Sequence, residues 1–292
     1  MTTNDRRIGW MFLGPPLIIV ILINIIPFFY GLWISLSKFQ LISKSVKHSF
    51  VGLENYRYEI FEDPIFIIAF KNMFIWIIVV TSVTFIISLF LAMALNHEFK
   101  GRNFIRVLSW LPWATPMIAV TILWKLTLQP NFGLLNSILQ IFGISGPRWL
   151  GDPSTAFLST MMVQVWRWVP FYTVTILAGL QSIPVELYEA SAVDGANPMQ
   201  RFRAITLPML SDTIALTLIM GTIWAVKAFA LIYSMTEGGP ANSSHILGTL
   251  SYQLAFRYGY LDRGAAVGVI MALILLGVGV LWIRREMRRW QK

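Results

Sequence analysis

An apolar stretch in the middle of the chain carries polar and aromatic side chains at helical spacing. Gln164, Arg167, Trp168 and Phe171 recur three and four residues apart, so a helix places them on one face. An arginine inside an apolar helix is costly unless it faces water or a partner. Because Trp rings stack on sugar rings, and Arg and Gln donate hydrogen bonds to hydroxyl groups, this face can bind a polar ligand.

A second apolar stretch offers a similar set of residue types. Gly221, Trp224, Ala225 and Lys227 again combine aromatic and cationic side chains with small ones. Two cations facing one ligand, Arg167 and Lys227, can instead favour an anionic substrate such as a uronate or a phosphorylated polyol. Both ligand classes stay open on the residues alone.

Several kinds of chemistry are missing from the sequence. The chain has no cysteine, which excludes disulfides, thiolate zinc sites and cysteine nucleophiles. No GxxxxGK[ST] segment is present, so the chain does not bind ATP through a phosphate loop. The histidines His48, His97 and His245 are scattered, and no pair of carboxylates stands inside an apolar stretch. We therefore expect neither an enzyme nor a cofactor or metal site.

The connection between these two apolar stretches contains signals for two short helices. Pro184 can begin a helix and Gly195 can end one, which predicts a helix over about 185–194. Asn197 and Gln200 have the spacing of an N-cap and its capping-box partner for a second helix. The small residues of the first helix allow a partner to approach closely; they are Ala190, Ser191 and Ala192.

The chain that positions these residues has the composition of a membrane protein. Of its 292 residues, 56% are hydrophobic and 13% are charged, about half the charged fraction of a soluble domain. Six apolar runs reach the ~20 residues that cross a bilayer, and they cover 11–36, 66–95, 104–128, 156–180, 214–235 and 265–283. The loops are too short for another domain. The sequence predicts an all-α polytopic membrane protein with one domain over 1–292.

The placement of the basic residues predicts the direction of the spans. Twelve Lys and Arg residues fall on the side of the membrane that holds the N-terminus, and seven fall in the loops on the opposite side. Seven Asp and Glu residues balance the cations of those opposite loops. Both termini are therefore expected in the cytoplasm. The formal net charge of +9 is mostly this orientation signal, and we do not expect nucleic-acid binding.

The connection over 181–208 resembles the EAA loop of binding-protein-dependent ABC importer permeases of the carbohydrate-uptake branch. The family pattern is E-A-A, three residues, G, nine residues, I-x-L-P. The matching residues are Glu189-Ala190-Ser191, Gly195 and Ile205-Thr206-Leu207-Pro208, with Ser191 in place of the second alanine. Similar flanking residues are Glu186, Asp194, Arg201 and the segment Thr236-Glu-Gly-Gly-Pro240.

The resemblance implies a type I ABC importer permease with six spans in a prokaryotic inner membrane, in contact with membrane lipid. Its partners would be a second homologous permease, two ATPase subunits that hold ATP and Mg, and an extracytoplasmic solute-binding protein. The loop would dock into the ATPase through the residues named above. The substrate path would be lined by Gln164, Arg167, Trp168, Phe171, Gly221, Trp224, Ala225 and Lys227.

Three readings of function remain open at this point. The first is import of a carbohydrate, in particular an oligosaccharide. The second is import of an anion such as glycerol phosphate or a uronate oligosaccharide. The third is a self-contained channel or uniporter, which the absence of intramembrane acids disfavours without excluding. Arg167 can also pair with the second permease instead of meeting substrate.

Overall fold

The computed structural model describes residues 3–39 and 49–290. Over these ranges the chain is largely helical, and the β-structure there is one antiparallel pair of two-residue strands, β1 (Ser37–Lys38) and β2 (Ser49–Phe50). The all-α prediction is therefore confirmed. His48, part of the segment 37–65 between the first two predicted spans, and the two ends of the predicted domain lie outside the described residues.

Sixteen α-helices follow one another in the described ranges. They are α1 (Thr3–Val20), α2 (Ile26–Ser35), α3 (Glu54–Phe61), α4 (Pro64–Asn96), α5 (Arg102–Ser109), α6 (Leu111–Ala114), α7 (Met117–Thr127), α8 (Leu134–Ile141), α9 (Pro153–Gln181), α10 (Val185–Val193), α11 (Pro198–Arg201), α12 (Leu207–Met209), α13 (Ser211–Val226), α14 (Ala230–Thr236), α15 (Leu247–Tyr252) and α16 (Leu261–Trp290). Short π-helical turns lie over Ile21–Ile25, Phe202–Thr206 and Gln253–Arg257.

Three of the described helical stretches are long and apolar enough to cross a membrane by themselves. They are Met11–Ser35, Pro64–Asn96 and Leu261–Arg284. Three further pairs of helices pass the same test together but are bent, by 97° between Arg102–Ala114 and Met117–Thr127 and by about 65° in the other two. Length and composition thus give three spans, or up to six when each bent pair is one span.

The predicted third span is not one continuous helix. The apolar run 104–128 is interrupted at Thr115, which has an extended backbone with ψ of 130° and lies before Pro116. A residue that precedes proline avoids the helical region because the proline ring clashes with its backbone. The apolar run can still be one bent span, and hydropathy alone does not register this clash.

The predicted fifth span is also interrupted. Within the run 214–235, α13 ends at Val226 and α14 begins at Ala230, with a non-helical segment between them. The break is a tightened turn in which Ala228 donates to the Ala225 carbonyl at 3.2 Å, and Phe229 then takes a φ of −143°. The apolar pattern continues across the turn, which is why the sequence concealed it.

By its internal contacts the chain forms two compact units. The described residues of 1–67 and 250–276 make up the first, and those of 68–249 and 277–292 make up the second. In the first unit Asn55 of α3 donates to the carbonyls of Ser35 and Ser37 at 2.8 and 3.0 Å, which fastens α3 to the end of α2.

The first unit also contains a buried charged cluster around one arginine. Arg263 of α16 donates through Nε to Glu59 and through Nη2 to Asp63 at 3.0 Å, and its guanidinium lies 4.2 Å from the Tyr58 ring. Glu59 has no exposed surface, and burial raises the pKa of its carboxyl from 4.5 to about 7 against the lowering effect of Arg263. We call Glu59, Asp63, Asp262 and Arg263 the acidic cluster.

The second unit is held by an apolar cluster that joins three long helices. Its buried members come from α4, α9, the turn after α9 and the turn before α13; they are Ala92, Leu95, Ile176, Leu177, Leu180, Ile183 and Leu210. Burial of apolar surface contributes roughly 25 cal/mol per Å². This cluster therefore fixes the ends of α9 and α13 from which the connection 181–208 departs.

Candidate functional site

A cavity of about 290 Å³ opens in the second unit beside α9 and the break after α13. Its lining residues are Trp113, Met117, Gln164, Arg167, Trp168, Trp224, Lys227, Ala228, Phe229, Ala230 and Leu231. Five of the eight residues predicted for the substrate path are among them. The structure thus brings together Gln164, Arg167, Trp168, Trp224 and Lys227.

The face predicted on α9 points its polar residues into this cavity. Gln164 and Trp168 are 3% and 5% exposed, and Arg167 is half-buried. Ser88 of α4 donates to the carbonyl of Val169 at 3.0 Å, next to Pro170, and so supports α9 beside the cavity. In the described chain, the buried Arg167 Nε and Gln164 Nε2 have no hydrogen-bond partner.

Aromatic rings form the apolar wall of the cavity. Trp113 of α6 lies 5.0 Å from Phe171 and 5.4 Å from Trp224 between ring centroids, and Trp168 lies 6.0 Å from Trp224. The guanidinium of Arg167 lies 5.8 Å from the Trp113 ring, within the range of a cation–π contact. Trp113 therefore holds the arginine where the described chain provides no acid.

The other three predicted residues do not line the cavity. Phe171 packs behind it, 4.8 Å from Trp224. Gly221 is buried on α13, and a Cβ added there would come within 1.5 Å of the Tyr172 hydroxyl oxygen. Ala225 has no exposed surface. The small size of Gly221 and Ala225 allows α9 and α13 to approach each other, so these two residues have a packing role in this structure.

Six lining residues were missed by the sequence analysis, namely Trp113, Met117, Ala228, Phe229, Ala230 and Leu231. Trp113 reaches the cavity because the chain bends by 97° after α6, and Phe229 does so because α13 stops before it. Both features are backbone breaks inside apolar runs. The one available signal was the proline at 116, which marks the first break.

The connection 181–208 folds as its capping signals predict. α10 covers Val185–Val193, and Gly195 follows it with a φ of +77°, the left-handed conformation that glycine adopts readily. Asn197 accepts from the Gln200 backbone at 2.9 Å while the Gln200 side chain accepts from the Asn197 N–H at 2.8 Å. Both short helices and the capping box are therefore confirmed.

The residues predicted to couple to an ATPase lie on the surface of this loop. Glu186, Glu189, Ala190, Asp194, Gly195 and Pro208 are exposed, and Ser191, Arg201 and Leu207 are partly exposed. Large apolar side chains stand beside them without cover in the described chain, among them Val185 at 64% and Val193 at 88% exposed. Such a surface is typical of an interaction site.

Contacts on the inner side of the loop tie it to the helices that carry the cavity. The Tyr188 and Thr206 hydroxyls are 2.9 Å apart, and Arg201 Nε donates to the Ala196 carbonyl at 2.9 Å. Tyr188 and Ile205 also pack on the apolar cluster at the ends of α9 and α13. The loop is therefore one compact body fastened to both helices.

Comparison with known proteins identifies the family. The profile described as "Binding-protein-dependent transport system inner membrane component" matches residues 84–290. The chain is 33% identical over 281 residues to the trehalose/maltose transport system permease protein MalF of Thermococcus litoralis, covering 96% of this chain and 94% of that one. It is 32% identical over 281 residues to the sulfoquinovosyl glycerol transport system permease protein SmoG of Agrobacterium fabrum, covering 96% and 91%.

A solved structure shares the fold. One chain of a bacterial alginate ABC transporter, crystallised with an alginate pentasaccharide-bound periplasmic protein, matches with a TM-score of 0.83 over 98% of this chain and 96% of that chain, at 23% identity. At that identity the likeness establishes the fold alone. The predicted resemblance is confirmed, and the chain belongs to the family of binding-protein-dependent transport system inner membrane components.

Proposed function

We propose that this chain is the permease subunit of an ATP-driven importer for a carbohydrate, in particular an oligosaccharide. The observation that carries the proposal is that the cavity and the exposed loop lie on the same two helices. Arg167 is fourteen residues before the end of α9 at Gln181, a separation of roughly 21 Å along a helix. α13 begins just after the loop and carries Trp224 to the cavity.

The loop has the properties of a mechanical coupling element. Its second helix has a capping box and its inner side is fastened to the apolar cluster, so a displacement of α10 moves the ends of α9 and α13 with it. The outer side presents Val185, Val193 and two exposed glutamates, Glu186 and Glu189, to a partner. An ATPase subunit that binds this surface and moves can tilt the helices that line the cavity.

The assembly follows from the family and from what the chain lacks. We assign ATP and Mg to two ATPase subunits, because this sequence has no phosphate loop, and we assign no cofactor to the chain itself. A second permease completes the translocation path, and an extracytoplasmic binding protein delivers the substrate. The chain crosses the inner membrane of a prokaryote six times, surrounded by lipid, with both termini in the cytoplasm.

Aromatic rings beside hydrogen-bonding side chains support a carbohydrate substrate. Trp113 and Trp224 are partly exposed aromatic rings on which a sugar ring can stack, and Gln164 and Arg167 can donate to sugar oxygens. The relatives named above are transporters of trehalose and maltose and of sulfoquinovosyl glycerol, and the structural neighbour transports alginate. All of these are sugars, which agrees with the chemistry of the cavity.

Charge reversal on the loop tests the coupling. In the intact importer, reconstituted with its binding protein, we expect Glu189→Lys to lower saccharide uptake at least ~10-fold while ATP hydrolysis by the complex persists, because the reversed charge weakens the contact with the ATPase. A tenfold loss corresponds to about 1.4 kcal/mol of coupling free energy. Gly195→Asp adds a charge and a side chain at an open position and is expected to act the same way. Glu98→Lys, an exposed acid outside the loop, is the matched control.

Two results would contradict the proposal. Normal uptake by both loop variants at normal expression would remove the loop from the coupling path. Uptake by this chain reconstituted alone, without an ATPase, would indicate a self-contained channel or uniporter.

A further inference from the structure

We infer that the cavity is built for an acidic saccharide, whose oxyanion group is held by Arg167, Lys227 and Gln164. This inference rests on the proposed function and narrows its substrate class. It is carried by the charges and by the hydrogen-bonding groups of the lining residues.

The charge balance of the cavity is one-sided. Its lining contains two cations, Arg167 and Lys227, and no carboxylate. In the part of the chain that the structure describes, Arg167 makes no ion pair, and its Nε is buried without a hydrogen-bond partner. A half-buried cation beside an apolar ring is screened less than one in bulk water, so it attracts an anion more strongly.

The polar groups of the cavity are mostly donors. Arg167, Lys227 and the indole N–H groups of the tryptophans only donate, and Gln164 is the one lining side chain with an oxygen acceptor. Gln164 is 3% exposed, and its Nε2 has no partner in the described chain. A sugar hydroxyl both donates and accepts, whereas a carboxylate, sulfonate or phosphate only accepts. Lining of this kind complements an oxyanion better than a neutral hydroxyl.

The aromatic wall distinguishes an acidic sugar from a small inorganic anion. The guanidinium of Arg167 lies 5.8 Å from the Trp113 ring, and the partly exposed Trp224 lies 5.4 Å from that ring. A ligand that combines a sugar ring with an oxyanion uses both features at once. The planar guanidinium can bind a carboxylate through two parallel hydrogen bonds, which a lysine cannot do.

Equilibrium dialysis against the purified importer, without its binding protein, tests the inference directly. The probes are labelled trigalacturonate and trimannuronate, each paired with its carboxyl-reduced neutral counterpart. We expect the importer to bind at least one acid roughly 10- to 100-fold more tightly than its counterpart, the range of a charge-assisted hydrogen bond. Omitting the binding protein ensures that the preference belongs to the membrane subunits.

Variants locate the preference at this cavity. Arg167→Gln is expected to remove most of it, Arg167→Lys to keep part because the charge remains, and Lys227→Gln to reduce it less because Lys227 is more exposed. Lys71→Gln removes the same charge from an exposed position on α4 outside the lining and is expected to change nothing.

The possible failures are distinguishable. Equal or tighter binding of the neutral saccharides, or binding of neither kind, overturns the acidic specificity. An undiminished preference in both Arg167→Gln and Lys227→Gln overturns the assignment to this cavity and indicates that the second permease carries it. ATP-driven uptake of any saccharide by vesicles with the binding protein is measured separately, and its absence overturns the proposed function itself.

Discussion

Each of the two compact units contains a partly buried arginine, and the surroundings of the two arginines differ. In the first unit Arg263 is bonded to Glu59 and Asp63 and lies against the Tyr58 ring. In the second unit Arg167 lies over Trp113 and meets no acid in the described chain. Both side chains are partly shielded from water, so both need compensation for lost hydration.

The difference separates a structural charge from one that is available to a ligand. Arg263 is neutralised by residues from α3 and the turn after it, so the ion pairs hold α16 to α3 inside the first unit. Burial raises the pKa of the Glu59 carboxyl, and the neighbouring Asp63 and Asp262 add to that rise. Arg167 lies against an aromatic ring and meets no acid among the described residues. On the inference made above, its counter-charge comes from the substrate.

The largest expected effect is at the compensated arginine. Arg263→Gln leaves Glu59 and Asp63 buried without their cation, and breaking a buried ion pair in this way costs about 3–5 kcal/mol. We expect a strongly lowered melting temperature of the detergent-solubilised importer, followed by near-ultraviolet circular dichroism. Arg57→Gln, which removes an exposed cation from α3, the helix of Glu59, is the control.

A second substitution checks the reason for this loss. Adding Glu59→Gln to Arg263→Gln removes one of the stranded carboxylates and is expected to restore part of the stability. If the double variant is as unstable as the single one, packing of the arginine side chain, and not its charge, is what the cluster requires.

The acidic cluster also predicts a pH dependence of stability. Because the pKa of Glu59 is raised from 4.5 to about 7 on folding, the folded chain holds this proton more tightly than the unfolded chain does. The contribution of this proton to the free energy of unfolding is fully present below about pH 4.5 and is lost as the pH rises towards and through 7. The total loss is about 3 kcal/mol.

Melting temperatures measured from pH 5 to pH 8 test this expectation. The wild-type chain should lose stability across the range, and Glu59→Gln should flatten that slope because a neutral amide has no proton to lose. A Glu59→Gln slope identical to that of the wild type would assign the pH dependence to other groups.

Local signals in the sequence were sufficient for the coupling loop. Pro184, Gly195, Asn197 and Gln200 act on backbone groups within four residues of themselves, so their effect does not depend on the remainder of the fold. The helical face of Gln164, Arg167 and Trp168 was predictable for the same reason, since helical spacing alone places these side chains together.

The other half of the cavity could not be predicted because it depends on breaks and long-range packing. Trp113 and Phe229 enter the lining through interruptions of apolar runs, which hydropathy does not detect. Gly221 is needed where Tyr172 crosses from α9, a contact across 49 positions of sequence. The partnership of Arg263 with Glu59 spans 204 positions, and no pattern of spacing indicates it.

A smaller effect is expected from removing the ring that orients the uncompensated arginine. Trp113→Leu loses ring contacts with Phe171 and Trp224 and the cation–π contact with Arg167, together about 1–3 kcal/mol. The melting temperature should fall moderately. Trp110→Leu, an exposed tryptophan just before α6, is the control. An equal fall in melting temperature in the two variants would show that the ring contacts of Trp113 contribute no extra stability to the cavity wall.

The smallest effect on stability is expected at Arg167 itself, and its sign decides the comparison. Arg167→Gln removes a cation–π contact of about 0.5–1 kcal/mol, but it also removes a partly buried charge that no acid of the described chain neutralises. The two contributions oppose each other. The free energy of unfolding without ligand should therefore stay within about 0.5 kcal/mol of the wild-type value or increase, and the melting temperature should change little or rise. A loss comparable to that of Arg263→Gln, measured in the same preparation, would mean that Arg167 already has a counter-charge in the assembled importer, supplied by the second permease. Near-neutral stability together with weakened binding of the acidic saccharides would instead mean that the counter-charge arrives with the substrate.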